Sequence, residues 1–429
     1  KARGCHYTIA AANYLTTLIK NKDILEATLI TEKEIEKHLG KFPPEKKFVL
    51  NMIINTLQNL ITDYISKPHT ANIYEKSNNR IAVAMSGGID STMAAKILKD
   101  KGWQVIGVTM KLLPDNFNWK SNTKTCCSDE DIKAARKVSL KLGIPHIVLD
   151  LIQPFEKKII NPFCFEYKRG YTPNPCVECN KYIKFGTLLR KIKIIGASYL
   201  ATGHHCRIVK SKVSGLYEIK KGLDKNKDQS YVLWKLSQAQ VSQIKTPVGE
   251  LSKSNIKKEI KKLFPFLKKK SESQDICFIP ENNYHLFLKS KIKGIKEGPI
   301  LDTRGKIIGI HKGYPFYTIG QRKGLGVSYT KPLYVKEIIP EKNIIVAGEE
   351  KDLLQKSLKV KNTNFITGNP PGETFRATVK IRYNSSEVPA EIKITGKKTA
   401  IITFNELQKA ITPGQSAVFY NGDILIAVS

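Results

Sequence analysis

The sequence predicts an α/β domain built on a parallel sheet, with a helical segment before it and two β units after it. Three observations predict this. Apolar runs of strand length alternate with amphipathic helical stretches between residues 81 and 202. The chain before residue 66 has helical periodicity alone. Beyond residue 280, short apolar runs alternate with polar residues and are separated by Gly, Asp and Pro. At 429 residues the chain is too long for a single core, and its 41% apolar content suits folded domains. No stretch has the uninterrupted apolar length of a membrane helix. Residues 1–20 lack the basic start and apolar core of a secretory signal. A cytoplasmic protein without a membrane partner is therefore expected. Because the chain opens on Lys1 rather than Met, further residues are expected upstream.

Taken in order, residues 1–66 read as helices. Ala10, Leu15 and Leu18 share a face of the first, residues 35–39 make a short second, and residues 49–65 an amphipathic third. Residues 67–79, with Pro68 and several polar side chains, read as a linker. Residues 80–279 form the α/β domain. It opens with a buried strand over 81–85, which breaks at Ser86-Gly87-Gly88. The chain resumes as a helix with Met93, Ile97 and Leu98 on one face, stopped by Gly102. Residues 103–112 are a second strand. Ser128 with Asp131 makes a capping-box start for a helix through Leu142, closed by Gly143. Residues 146–151 are a third strand, 185–195 another helix closed by Gly196, and 198–202 a further strand. Right-handed crossovers place ligands at the carboxyl ends of such strands, where Ser86, Met110, Gly203 and His204 fall. Residues 280–352 read as a small β domain and residues 353–429 as a β-barrel.

Three stretches carry chemistry. A strand, a glycine turn and a helix start together make an anion cradle, because glycine lets the backbone approach a phosphate and the first helical N–H groups point at it. No Gly-Lys-Ser/Thr follows, so the turn is not the P-loop of kinases and GTPases. In the second stretch, Thr172 to Lys181, prolines fix a rigid loop around Cys176 and Cys179, with helix expected from about Phe185. A rigid loop suits a nucleophile, but a bare Cys-x-x-Cys equally fits a redox pair, a zinc half-site or a cluster ligand. The third, Ser273-Gln274-Asp275-Ile276-Cys277-Phe278-Ile279, places a cysteine in a strand-like run. With 71 basic and 38 acidic residues the formal net charge is +33, an excess that favours a polyanion, RNA foremost. Eight cysteines without an export signal point to metal or catalytic use rather than disulfides. The Cys126-Cys127 pair reads as local structure or as a spare sulfur relay.

The motifs resemble known families. Ala2-Arg3-Gly4-Cys5, Ile9-Ala10-Ala11-Ala12, Leu25-Glu26-Ala27 and Pro43-Pro44-Glu45-Lys46 resemble the later half of the NifU/IscU iron–sulfur scaffold. Cys5 matches one ligand, Val49 stands where a second is expected, and the first would precede Lys1. One ligand of three cannot hold a cluster, so the segment reads as a degenerate helical appendage. Ser86-Gly87-Gly88-Ile89-Asp90-Ser91 resembles the pyrophosphate (PP) loop of the adenine-nucleotide α-hydrolase-like fold. With Thr172 to Lys181, Ala201-Thr202-Gly203-His204, Gly222-Leu223-Asp224, Lys227-Asp228-Gln229-Ser230-Tyr231, Gly320-Gln321-Arg322-Lys323-Gly324 and Thr412-Pro413-Gly414-Gln415, it makes an ordered set. Residues 80–429 thereby resemble the tRNA-specific 2-thiouridylases.

That resemblance implies ATP-dependent adenylation of the 2-oxygen of the wobble uridine, then sulfur attack with loss of AMP. It implies ATP and Mg2+ as cofactors, and tRNA and a sulfur donor or cysteine desulfurase relay as partners. By position, Ala84, Met85, Ser86, Gly87, Gly88, Ile89, Asp90 and Ser91, with Met110 and Gly203, would hold ATP. Asn174, Pro175 and Cys176 would contact the target base. Cys179 matches the nucleophile and Cys277 the persulfide carrier. His204, Lys227, Asp228, Gln229, Arg382, Tyr383 and Gln415 match positions that touch tRNA. One departure matters: family members carry Asp where this chain has Cys176. Cys176, Cys179 and Cys277 are therefore also expected as ligands of a [4Fe–4S] cluster that leaves one iron open to sulfide. Two rivals remain at this point: an adenylating enzyme of the same fold acting on a small molecule, and a plain RNA-binding or cluster-carrying protein.

Overall fold

The computed structural model describes residues 4–67, 73–114, 128–267, 276–279 and 283–428. The Cys126-Cys127 pair, Ser273-Gln274-Asp275, Pro280 and residues 68–72 of the expected linker lie outside the described residues.

The chain begins with four helices, α1 (His6–Ile19), α2 (Ile24–Ala27), α3 (Glu32–Leu39) and α4 (Lys47–Ser66). Asp23 and Glu26 form a reciprocal capping box that starts α2, and Thr31 with Glu34 does the same for α3. Helix α4 lacks a side-chain cap and is held by its apolar face. Val49, Leu50, Ile53, Ile54, Leu57, Ile61 and Ile65 recur at helical spacing and are all buried. That face does not close on its own helices alone. It shares one core with Ile106, Val108, Ile147 and Leu149 of the following sheet. Polar bonds stitch the same joint: the His146 N–H donates to Thr28 Oγ1 (3.2 Å) and the Asp150 N–H to Ser66 Oγ (3.1 Å). The N-terminal segment is thus a cover for one face of the next domain.

That sheet contains β1 (Ser77–Ala84), β2 (Gln104–Lys111), β3 (His146–Asp150) and β4 (Ala197–Ala201). Two further strands, β5 (Cys206–Lys210) and β6 (Tyr217–Lys221), precede its last member, β7 (Ile244–Lys245). Its order is β3-β2-β1-β4-β7 and every pairing is parallel. One face carries α5 (Ile89–Asp100) and α6 (Asp129–Leu142), with Ile81, Val83 and Met85 in their core. The other face carries α4 and the helices of residues 152–195: α7 (Ile152–Phe155), α8 (Asn161–Lys168), α9 (Pro175–Glu178) and α10 (Leu189–Lys191). After α11 (Gln238–Val241), α12 (Lys253–Leu263) joins the first face, burying Ile256 and Ile260.

A four-stranded sheet follows, β8 (Gly298–Leu301), β9 (Ile307–His311), β10 (Tyr334–Ile339) and β11 (Ile344–Gly348), in the order β10-β11-β8-β9. The last unit contains β12 (Leu354–Lys361), β13 (Asn364–Phe365), β14 (Thr374–Lys380), β15 (Val388–Gly396), β16 (Thr399–Lys409), β17 (Val418–Asn421) and β18 (Ile424–Val428). Its antiparallel order is β12-β16-β15-β14-β17-β18, and the sheet then continues into β6 and β5. The hairpin β5–β6 belongs by sequence to the α/β domain, yet Leu425 of β18 pairs with Ile219 of β6. Sequence periodicity missed it because both strands are only five residues long and carry two basic residues each.

Two expectations are corrected here. Helix does not wait for Phe185: it begins at Pro175, with Asn174 as its cap. Proline at the first helical position loses no hydrogen bond, so Pro175 starts a helix rather than forbidding one. Cys277 does not lie in a strand. Residues 276–279 form a turn closed by the Ile279 N–H to the Ile276 carbonyl at 3.0 Å. Phe278 anchors that turn, its ring 5.6, 5.3 and 5.3 Å from those of Phe155, Phe163 and Phe287.

Candidate active site

The strand order reverses between β1 and β4, and the crevice at their carboxyl ends is where such sheets bind ligands. The glycine turn sits there. Gly87 has φ of +65°, which a side chain would strain. Gly88 caps α5 in an extended conformation. The turn fastens itself: the Ser86 N–H donates to Ser91 Oγ (3.3 Å), and the Ser91 and Thr92 hydroxyls donate to the Gly88 carbonyl (3.1 and 2.8 Å). The N–H groups of the first helical turn have no partner within the helix and face the crevice end. Gly203 closes the opposite wall. A Cβ there would lie 2.7 Å from the backbone of Asp90 and Ser91. Met110, next to last in β2, lies at the same edge and is buried.

Asp90 is the acid of the turn. His205 Nε2 donates to its Oδ1 (3.0 Å), and the Lys253 ammonium binds its Oδ2. Burial pushes the carboxyl up, but His205 and Lys253 outweigh burial and hold it below the usual carboxylate range. His204, in contrast, is buried, bonded through Nδ1 to the Thr202 hydroxyl (2.7 Å) and near the Phe185 ring. Burial lowers its pKa well below that of free histidine. A direct contact with tRNA would require this ring to leave its bond.

The Cys-x-x-Cys stretch starts a helix. The Asn174 side chain accepts the Cys176 N–H at 3.1 Å, which turns the chain into α9. Cys176 is exposed at that first turn, while Cys179 is 9% exposed and opens a wide-turn π segment, Cys179–Leu188. Such segments concentrate at functional sites. Glu178, between the two cysteines, pairs with Lys235. Cys277 is half-buried against the apolar core. Among the described residues, no three His, Cys, Asp or Glu side chains stand where one metal ion would bind them. The expected [4Fe–4S] ligand set of Cys176, Cys179 and Cys277 is therefore not gathered. Helix at Pro175 divides the first two between surface and interior, and the third rides on its own aromatic anchor.

Of the expected tRNA-contacting residues, Gln415, Arg382, Tyr383 and Asp228 lie where the α/β domain meets the two β units. Gln415 Nε2 donates to the Thr172 carbonyl (2.7 Å), and the Thr172 N–H donates to the Pro413 carbonyl (2.9 Å). Arg382 Nη2 binds the carbonyls of Ile319 (3.1 Å) and Ala410 (2.8 Å), and the Thr412 hydroxyl. Tyr383 is partly exposed and donates to the Asp228 carbonyl at 3.3 Å. The Asp228 carboxylate is occupied by the N–H groups of Gly222 and Ser230 and the Ser230 hydroxyl. Gln229 brackets the backbone of His205 from both sides. Lys227 ends a short turn begun by Asp224. Beside this junction opens a cleft of about 1270 Å³. Lys158, Arg169, Lys336, Lys359, Tyr171 and Trp234 line it, together with Asn174, Pro175 and Glu178. Basic and aromatic groups in one cleft suit an unstacked nucleic acid strand.

Comparison with known proteins decides the family. Residues 79–281 match the tRNA methyl transferase HUP domain, 285–349 the tRNA methyl transferase PRC-barrel domain and 355–427 the aminomethyltransferase beta-barrel domain. The tRNA-specific 2-thiouridylase MnmA 1 of Caldanaerobacter subterraneus subsp. tengcongensis is 45% identical over 351 residues, 81% of this chain and 96% of its own. Those of Carboxydothermus hydrogenoformans and Clostridioides difficile are 43% identical, over 81% of this chain and 96% and 97% of theirs. The chain belongs to the tRNA-specific 2-thiouridylase family.

In addition, residues 1–71 match the NifU-like N terminal domain. Cys5 is exposed there, with Thr8 Oγ1 3.4 Å from its sulfur. Val49, where that scaffold would place its next cysteine, is fully buried in the shared core. In this thiouridylase the scaffold-like segment packs on the catalytic sheet through α4, with Val49 part of that packing. Sequence reasoning also missed two residues at the glycine turn, His205 and Lys253. The signal for Lys253 was a lysine just after a Ser252 cap, at the end of a helix where cations are disfavoured.

Proposed function

We propose that the chain thiolates the 2-position of the wobble uridine in tRNA, using ATP bound at the glycine turn. The carrying observation is the turn itself: Gly87, at φ +65°, and the uncrowded Gly88 lead into the amides that open α5 at the switch point of a parallel sheet, with Gly203 packed against the start of that helix. The 2-oxygen of uracil attacks the α-phosphorus, the bond to the bridging oxygen breaks, and pyrophosphate leaves. The adenylated carbon then accepts sulfur and releases AMP. Ala84, Met85, Ser86, Ile89, Asp90, Ser91 and Met110 complete the nucleotide site in this reading. Magnesium would meet Asp90, the acid of the turn, and take its other ligands from the phosphates.

For sulfur we favour a persulfide on Cys277 over a cluster, because the three cysteines do not share a metal position. Its terminal sulfur attacks the activated carbon and AMP leaves. The Cys179 thiolate then cleaves the S–S bond, freeing 2-thiouridine and leaving a Cys179–Cys277 disulfide for an external thiol to reduce. Asn174, Pro175 and Cys176 border the base pocket. Lys227, Gln229, Tyr383 and Gln415 sit at the junction that faces tRNA, and Arg382 and Asp228 hold that junction together. We also keep the division of the chain at residues 66, 79, 279 and 352, with β5–β6 strapping the catalytic unit to the last one. No helix among the described residues is long and apolar enough to cross a membrane.

The test is thiolation of tRNA read on mercury-containing gels, which retard thiolated RNA. Cys179→Ser should abolish the retarded band while ATP binding stays intact. Wild-type protein turned over once without reductant should show the Cys179–Cys277 disulfide by mass spectrometry. A fully active Cys179→Ser protein would overturn the assignment, and a rival acting on small molecules would consume ATP without retarding any tRNA.

A further inference from the structure

Helices α5 and α12 run side by side in the same direction, as two pairings six residues apart on each helix require: Asp90 with Lys253, and Lys96 with Glu259 at 3.2 Å. Both helix starts therefore lie at the glycine turn. Lys253 occupies the first position of α12, with its side chain 9% exposed. A cation there opposes the helix dipole, and burying it costs solvation. Its backbone is nonetheless fixed from two sides: Asp224 Oδ2 accepts its N–H at 2.9 Å, and Ser252 caps the same turn. Asp224 belongs to the Gly222-Leu223-Asp224 stretch, whose place in the ordered motif set is thereby given a physical task. Gly249, two residues before Leu251, lets this segment press on β5, since a Cβ there would overlap the Cys206 carbonyl. An ammonium has three protons, and Asp90 takes one of them. His205 holds the other oxygen of Asp90, so the carboxylate is a fixed rest for the lysine.

We infer that Lys253 is a further nucleotide-binding residue, which engages the β- and γ-phosphates of ATP and offsets the charge of pyrophosphate as it leaves. The inference rests on the reading of the glycine turn as the ATP site. Asp90 holds the ammonium at the turn until the nucleotide arrives. With nucleotide bound, Asp90 would be free to hold magnesium while the Lys253 ammonium turns to the phosphates. His205 acts as a positioning residue through Asp90. A purely structural pair would be served as well by two apolar side chains of similar volume.

The test compares ATP, inorganic pyrophosphate and AMP as ligands of the full chain by calorimetry. Lys253→Gln keeps an N–H for Asp90 but removes the charge, and Lys253→Arg keeps the charge. For Lys253→Gln, ATP and pyrophosphate should weaken by about ten- to a hundred-fold and AMP by less than about twofold, as loss of a charged hydrogen bond to phosphate requires. Lys253→Arg should recover most of the loss. Equal weakening of AMP and ATP, or none of either, would overturn the inference. Reductive methylation of wild-type protein gives a readout independent of any variant's folding: ATP and pyrophosphate should slow labelling of Lys253 and AMP should not. Labelling indifferent to all three would also overturn it. Wild-type protein that binds no ATP would remove the glycine-turn reading itself, and is told apart by the wild-type titration.

Discussion

At the residue scale, His146 shows how a buried ring is fixed by its neighbours. The Thr109 hydroxyl donates to the Met85 carbonyl at 2.9 Å, so its oxygen accepts from His146 Nε2 at 2.8 Å. The ring is then neutral, with a bare Nδ1 that has no partner. Burial, with Arg136 nearby, lowers its pKa to about 3 from an ordinary 6.5. The unfolded chain therefore gains a proton below pH 6.5 that the native ring refuses until about pH 3. Stability should fall as pH drops through that window, by up to about 1.4 kcal/mol per pH unit for this one group. Urea unfolding between pH 7.5 and 5 checks this, and His146→Gln should flatten the slope by its share. Such residues are hard to read in a sequence. The motif glycines and cysteines announce themselves by local spacing, whereas Asp90 meets His205 and Lys253 across 115 and 163 positions.

At the scale of the element, the glycines around the turn separate two kinds of requirement. Gly203→Ala would drive a methyl to 2.7 Å from the backbone that opens α5. This should cost about 1–3 kcal/mol of stability and misplace the turn. Gly88 has an ordinary φ of −91°, and an added methyl meets little beyond Ser86 Oγ at 3.4 Å. Gly88→Ala should therefore unfold within about 0.5 kcal/mol of wild type yet lose ATP affinity, because the methyl would enter the space proposed for the phosphates. Thermal unfolding and ATP titration of the pair check both halves, and reversal of the two patterns would contradict them. The strands and capped helices of the parallel sheet were legible because apolar runs and Ser128, Gly143 and Gly196 punctuate them. The start of α9 was not: its two prolines read as helix breakers, and only the Asn174 cap makes Pro175 a first helical residue.

Across the whole molecule, the +33 charge becomes specific where it lines a cleft. Replacing both Lys336 and Lys359 by Ala should reduce the slope of log affinity for tRNA against log salt by about 2, one for each lost phosphate contact. Arg382→Ala should act differently. Its guanidinium ties Ile319 to Ala410 and Thr412, so it should lower the unfolding temperature and leave most of the salt slope. Binding titrations from low to moderate salt, with melting curves beside them, distinguish the two. Charge and composition made a polyanionic partner legible. They could not show that the first helices and the last sheet both complete the catalytic unit, because those joints depend on pairings far apart in the chain.

The shared core of α4 and β3 has a consequence for synthesis. The ribosome finishes Ser66 well before Asp150, the residue whose N–H it receives, 84 positions later. At about 5–20 residues per second, the nascent chain carries the apolar face of α4 for roughly 4–17 s before the strand that covers it exists. The scaffold-like segment is therefore made well before the strand that covers it, and in that interval its apolar face is open to a chaperone.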